Sequence, residues 1–149
     1  MKLSTKSRYG TRLMAELAFH YDHGPVSVGE ISRRQDISVK YLEQLIIPLK
    51  KAGLIKSTRG PKGGYSLTKN PNDITIGEIV EILEGGVEFS KCLRDPSRCD
   101  KIEVCATRRV WEEATEAVYE KLNSVTLSEI VKDIVPSEEK NTFMSSRCS

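Results

Sequence analysis

At 149 residues the chain has length for one compact core with a helical extension. No stretch reaches the ~18 consecutive apolar residues of a membrane span, and the Met-Lys-Leu-Ser-Thr-Lys start lacks the apolar centre of a secretion signal. A cytoplasmic protein is expected, with no membrane partner and with four cysteines serving as ligands or free thiols rather than disulfides. The net charge of +2 hides a division: residues 1–70 carry 13 Lys/Arg against five Asp/Glu, residues 71–149 ten against 16. A basic first half suits a polyanion, and an acidic second half is repelled from it.

Ser4 or Thr5 caps a first predicted helix running to about Tyr21, with Tyr9, Leu13, Met14, Leu17 and Phe19 on its apolar face. Gly24-Pro25 ends it. Ser27-Val-Gly-Glu30 has capping-box spacing and opens a short helix that turns Ile31 inward. After a turn at Asp36-Ile37, Ser38 caps a third helix with Val39, Leu42, Leu45, Ile46 and Leu49 toward the core. Pro48 removes a donor inside this helix and should loosen its last turn, which Gly53 terminates. Leu54–Thr58 and Tyr65–Thr68 read as strands flanking a glycine-rich turn, and Asn70-Pro71-Asn72 closes the hairpin unit. Thr75-Ile-Gly-Glu78 starts a helix through Ile79, Ile82 and Leu83 that stops at Gly85-Gly86.

Residues 87–103 form a polar loop with Cys92, Cys99 and, just beyond it, Cys105. A long helix from Val104 to about Leu122 aligns Val104, Thr107, Trp111, Ala114, Val118 and Leu122, widened by Val110 and Ala117. A lone helix of this kind needs a twin to bury Trp111 and Val118 together, so a homodimer is expected. Thr126 caps a last helix that ends before Pro136, and the polar tail predicts disorder. The organisation is mainly α with a small β-hairpin wing. A winged helix-turn-helix domain spans 1–86 (reading unit about 27–68), the cysteine loop 87–103, the dimerisation and C-terminal helices 104–135, and the tail 136–149.

A polar helix face followed directly by a basic glycine hairpin is how a winged helix-turn-helix meets double-stranded DNA. In the major groove Gln44 can pair with adenine and Glu43 can accept from cytosine, while Ser38 and Tyr41 reach phosphate or a thymine methyl. Lys40 and Lys51 suit phosphates. Arg59 suits the minor groove, and Gly60, Lys62, Gly63 and Gly64 allow close backbone approach.

Tyr41-Leu-Glu-Gln-Leu45 and Arg59-Gly-Pro-Lys-Gly-Gly-Tyr65 resemble the Rrf-two family of bacterial winged-helix regulators, as does the chain up to about Val135. The resemblance implies a homodimer on a palindromic operator, usually as a repressor, with Ser38, Tyr41, Glu43, Gln44 and Arg59 at DNA-contact positions. Pro48 has a precedent among cluster-free members.

Six residues separate Cys92 from Cys99 and five separate Cys99 from Cys105, wider than structural zinc pairs prefer. Soft sulfur in a flexible loop suits an iron–sulfur cluster or copper(I); unmodified surface thiols fit equally well on the residues alone. Lys91, Arg94, Arg98 and Lys101 favour thiolates, as does the helix Cys105 is expected to open. By resemblance the triad marks a cluster-bearing branch, holding a 2Fe–2S or 4Fe–4S cluster. Its fourth ligand departs from the family: Arg108 stands where one branch has histidine, and Arg8 where another has an acidic residue. Glu103, Asp100, a partner-subunit residue or an exogenous ligand remain, while His20 and His23 are expected to be exposed. Cys148 is read as incidental.

Three rival functions are a cluster-free thiol-redox or metabolite-responsive repressor, a winged helix for docking proteins, and a cysteine-nucleophile enzyme. The last lacks a histidine in the cysteine region and a glycine-rich phosphate cradle, so no enzyme is expected.

Overall fold

The structure is a computed structural model that describes residues 2–133. The expected tail, with Cys148, lies outside them. Helix α1, Thr5–Phe19, begins at Ser4, whose hydroxyl accepts from the Lys6 N–H. Helix α2, Val28–Gln35, and α3, Val39–Lys51, form the helix-turn-helix, capped by the Ser27 and Ser38 hydroxyls. Asp36 turns between them in the left-handed conformation, φ 52°. Pro48 does not break α3, which runs to Lys51. It ends where the N–H of Gly53 (φ 81°) bonds the Lys50 carbonyl and that of Leu54 bonds the Leu49 carbonyl, each at 3.0 Å. This closes the orphan carbonyls with the left-handed residue only glycine adopts freely.

Strands β1, Ile55–Thr58, and β2, Gly64–Leu67, pair antiparallel with Ile55 opposite Leu67. Val26 adds a bridge to Tyr65, at 2.9 and 2.8 Å, fastening the wing to the start of α2. Gly64 permits this approach, since a Cβ there would stand 2.3 Å from the Val26 carbonyl oxygen. Helix α4, Ile76–Glu84, follows from the Thr75 cap. A single turn α5, Lys91–Arg94, lies in the cysteine loop, followed by α6, Arg108–Asn123, and α7, Leu127–Lys132. Leu127 is fully buried, and its N–H bonds the Ile74 carbonyl at 2.9 Å, so α7 packs into the core of the DNA-reading half.

Leu13, Leu17, Ile31, Leu42, Leu49, Leu54, Ile79 and Leu127 anchor one core shared by α1 to α4, the wing and α7. Several expectations need correction. Val39 is 38% exposed, because in the first turn of α3 it has no layer above it, and Phe19 is 37% exposed at the last position of α1. The long helix starts at Arg108, not Val104; a 3-10 turn over Ile102–Val104 precedes it and leaves Val104 on the surface. Of the Ser/Thr-x-x-Glu helix starts at Ser27, Thr75 and Thr126, only Thr126/Glu129 forms a capping box closed in both directions. Glu30 turns instead to Arg34, and Glu78 to Lys69.

Three buried polar residues hold α1 against α2. Gln35, 1% exposed, accepts from Arg12 Nε at 3.1 Å and donates to Glu16 Oε2 at 2.8 Å. Arg12 also donates to the Gln35 carbonyl, satisfying a helix-end group. Arg34 and His20 both reach Glu16 Oε1, at 2.9 and 3.1 Å, so His20 is half-buried rather than free. At the other end of α1, Glu84 accepts from the Ser4 N–H and from the Ser4 and Ser7 hydroxyls. Burial pushes the Glu84 carboxyl upward, but these hydrogen bonds together outweigh it and hold it below its ordinary value.

Candidate nucleic-acid interface and cysteine loop

The outer face of α3 presents Lys40, Glu43 and Gln44 to solvent, because Leu42, Leu45, Ile46 and Leu49 occupy the opposite face. Ser38 is exposed, but its hydroxyl already accepts the Tyr41 N–H at 3.2 Å, leaving its proton for an outside acceptor. Tyr41 departs from expectation. It is half-buried, its ring edge-on to Tyr9 with centroids 5.9 Å apart, so it braces α3 on α1 as well as bordering the surface. The Arg12 guanidinium lies 5.4 Å from the Tyr9 ring, joining this aromatic pair to the buried Gln35 bonds.

In the wing Arg59, Gly60 and Lys62 are exposed, and Gly63 is folded into the turn by an N–H bond to the Gly60 carbonyl at 3.0 Å. Among the described residues Lys40, Lys51, Arg59 and Lys62 have no ion-pair partner, whereas Lys69, Arg94, Arg98, Arg108 and Arg109 are each paired with a carboxylate. The helix and wing thus present unneutralised cations, as binding to a phosphate backbone requires; among the described residues Lys91, Lys101, Lys121 and Lys132 in the second half are exposed and without an ion-pair partner as well. Lys50 is tied to Ser57 of β1 at 2.8 Å, linking the end of α3 to the foot of the wing. One residue of this face escaped the sequence reading: Ile47, 66% exposed in the middle of the polar stripe.

The cysteine loop is fastened to its surroundings by two side chains. Tyr119 of α6 accepts the Val87 N–H at 2.7 Å and donates to Glu81 of α4. Arg94 donates to the Gly85 carbonyl at 3.1 Å and pairs with Glu88 at 3.0 Å. Cys92, Cys99 and Cys105 are half-buried and free. Cys92 lies in α5 beside the Ser90 hydroxyl, at 3.1 Å. Cys105 does not open α6 but precedes it by three residues. Its thiol is nonetheless held below the ordinary value by a hydrogen bond from the Thr107 hydroxyl, then by the Arg108 backbone N–H at the start of α6. Arg94 and Arg98, expected to favour thiolates, are engaged by Glu88 and Asp95 instead.

As donors the three sulfurs suit a soft metal cluster. Their present placement does not gather them: among the described residues no three candidate ligands stand close enough to hold a metal ion. Arg108 is paired with Glu112 at 2.8 Å, and Arg8 lies over Tyr9, so neither offers a ligand.

Residues 3–133 match the family described as Rrf2, iron-dependent transcriptional regulator. The chain belongs to the Rrf2 (Rrf-two) family. It is 47% identical over 133 residues to protein rrf2 of Nitratidesulfovibrio vulgaris, covering 89% of each chain. Among solved structures it resembles IscR of T. potens, with 42% identity, a TM-score of 0.75, and 91% of this chain and 89% of that one covered. It also resembles CymR, described as the global cysteine regulator of B. subtilis, with 40% identity, a TM-score of 0.77 and coverage of 91% and 99%. The chain is thus a DNA-binding winged-helix transcriptional regulator and not an enzyme. Among the described residues no helix is long and apolar enough to cross a membrane.

Proposed function

We propose that the protein is a cytoplasmic homodimeric repressor of a palindromic operator whose occupancy is set by an iron–sulfur cluster, 2Fe–2S or 4Fe–4S, held by Cys92, Cys99 and Cys105. The observation that carries this reading is the position of three free, half-buried cysteines on one loop pinned between α4 and α6. α4 packs on α1 in the DNA-reading half, while α6 carries the exposed apolar residues that a second subunit would cover.

On DNA, Ser38, Lys40, Tyr41, Glu43 and Gln44 work from α3 in the major groove, with Arg59, Gly60, Lys62 and Gly63 in the wing. The cluster, when bound, supplies a group whose charge and integrity respond to oxygen, nitric oxide or iron supply. The chain's own part is to bring the loop sulfurs together, and the fourth position falls to Glu103, Asp100, a partner-subunit residue or an exogenous ligand. Closing the loop on Cys105 would fix the entry to α6 and so the spacing of the two reading heads.

Protein purified without air should show visible absorption and contain iron and sulfide, all lost on Cys92→Ala, Cys99→Ala or Cys105→Ala. Operator affinity should differ between loaded and cluster-free protein; equal affinities would contradict the coupling. The ungathered sulfurs favour a second reading, in which the same thiols act directly as redox switches. A colourless, iron-free protein whose operator binding follows thiol oxidation would establish that reading.

A further inference from the structure

We infer that Ile47 is a base-reading residue that buries its side chain against thymine methyl groups in the major groove. The inference rests on the assignment of α3 as the reading helix. Most large aliphatic side chains of the DNA-reading half are buried, but Ile47 is 66% exposed. Its neighbours Leu45, Ile46 and Leu49 already fill the core side of α3, at 2%, 3% and 0% exposure, so no inward position is left for it.

The turn of the helix puts Ile47 on the reading line itself. With about 100° and about 1.5 Å per residue, Ile47 falls in azimuth between Glu43 and Gln44, roughly one turn further along the axis. The same geometry places it within about 20° of Lys40 and about 40° of Lys51. The exposed stripe therefore runs from a cation, past two polar base-readers, across one aliphatic side chain, to a second cation. A duplex that accepts Gln44 on its base edges and Lys51 on its phosphates must cover Ile47 between them. The wing does not cover it: β1 meets α3 through the core side, where Leu49 and Ile55 are buried, and through the Lys50–Ser57 hydrogen bond, and Ile47 stays exposed.

Thymine is the only base that offers a methyl group in the major groove, so an aliphatic side chain there discriminates by apolar contact. Isoleucine suits the role, since its β-branch already fixes χ1 within a helix and little rotamer freedom is lost on contact. The pattern is thus a mixed code, with hydrogen bonds from Glu43 and Gln44 and a shape contact one turn away.

Deoxyuridine tests this directly, because it keeps the hydrogen-bonding edge of thymidine and removes only the methyl. In an operator shown to outcompete random DNA, each thymine is replaced singly by uracil and affinities are measured for wild type and Ile47→Ser. One position per half-site should cost wild type about fourfold, the effect of one buried methyl, and about 16-fold when both half-sites are changed. Ile47→Ser should bind thymine and uracil operators alike while remaining the same oligomer and keeping its affinity for random DNA. Uracil penalties that are absent in wild type, or equal in the two proteins, would overturn the inference. So would a changed oligomeric state in Ile47→Ser, which would assign the side chain to a protein contact. Failure to find any operator preferred over random DNA would instead overturn the reading-helix assignment, and the inference with it.

Discussion

Trp111→Glu is expected to yield a folded monomer whose operator affinity is weaker by about 10²-fold or more. Within a single chain α6 has no buried residue, and Trp111 and Val110 are 42% and 53% exposed. The inward side of the helix is held by Tyr119 and Asn123 against α4 and its cap, so the fold of the protomer does not depend on Trp111. In the proposed dimer a carboxylate placed on the exposed side would meet its own copy across the two-fold axis and be buried there, an arrangement that disfavours pairing. The loss in affinity follows from linkage: two joined reading heads bind the second half-site at high effective concentration, an advantage of about 10²- to 10⁴-fold that a monomer forfeits. Sedimentation gives the mass, far-ultraviolet circular dichroism the fold, and fluorescence anisotropy the affinity. A dimer that persists, or an affinity within threefold of wild type, would contradict the role of α6.

Gln35→Leu should destabilise the protein by about 3 kcal/mol, because two buried polar groups lose their partners at about 1–3 kcal/mol each. Arg12 Nε loses its acceptor and Glu16 Oε2 its donor, and both residues are at most 9% exposed, so water does not readily replace Gln35. A shift of this size lowers the midpoint of thermal unfolding by roughly 10 °C in a domain of this length. Urea denaturation compares the two proteins, with Arg33→Leu, two residues away on the opposite, exposed side of α2, as the control that should change little. A loss below about 0.5 kcal/mol would show that the bonds of Gln35 are not what holds α2 to α1.

The parts of the fold legible in the sequence are those with local causes. Ser4, Ser27, Ser38, Thr75 and Thr126 all stand as helix caps, because the hydroxyl bonds a backbone N–H only two or three residues away. The hairpin follows from its glycines and β-branched flanks. The Arg12–Gln35–Glu16 network was not legible, since charged residues on a helix are ordinarily solvated and these partners lie 19 and 23 residues apart. Helical periodicity also treats every apolar residue as inward. It therefore placed Val39 in the core and gave no role to Ile47, although the spacing from Glu43 and Gln44 was enough to put Ile47 on the polar face.

The cysteine loop divides in the same way. Its position before a long helix could be read from composition, but the start of that helix could not: Val104 and Cys105 have no capping residue to mark the boundary. The attachment of the loop through Tyr119 and Arg94 depends on contacts with α4 that no spacing reveals.

The central claim is that two copies of this chain read a paired DNA site with α3 and the wing. Selection of bound fragments from random genomic DNA, followed by anisotropy titration over a range of salt concentrations, tests it most directly. A recurring inverted repeat is expected, with affinity falling steeply as salt rises, because Lys40, Lys51, Arg59 and Lys62 displace counterions from the phosphates they neutralise, and with a weaker slope for Arg59→Ala. Recovery of no preferred sequence under any oxidation condition, or affinity indifferent to salt, would contradict it.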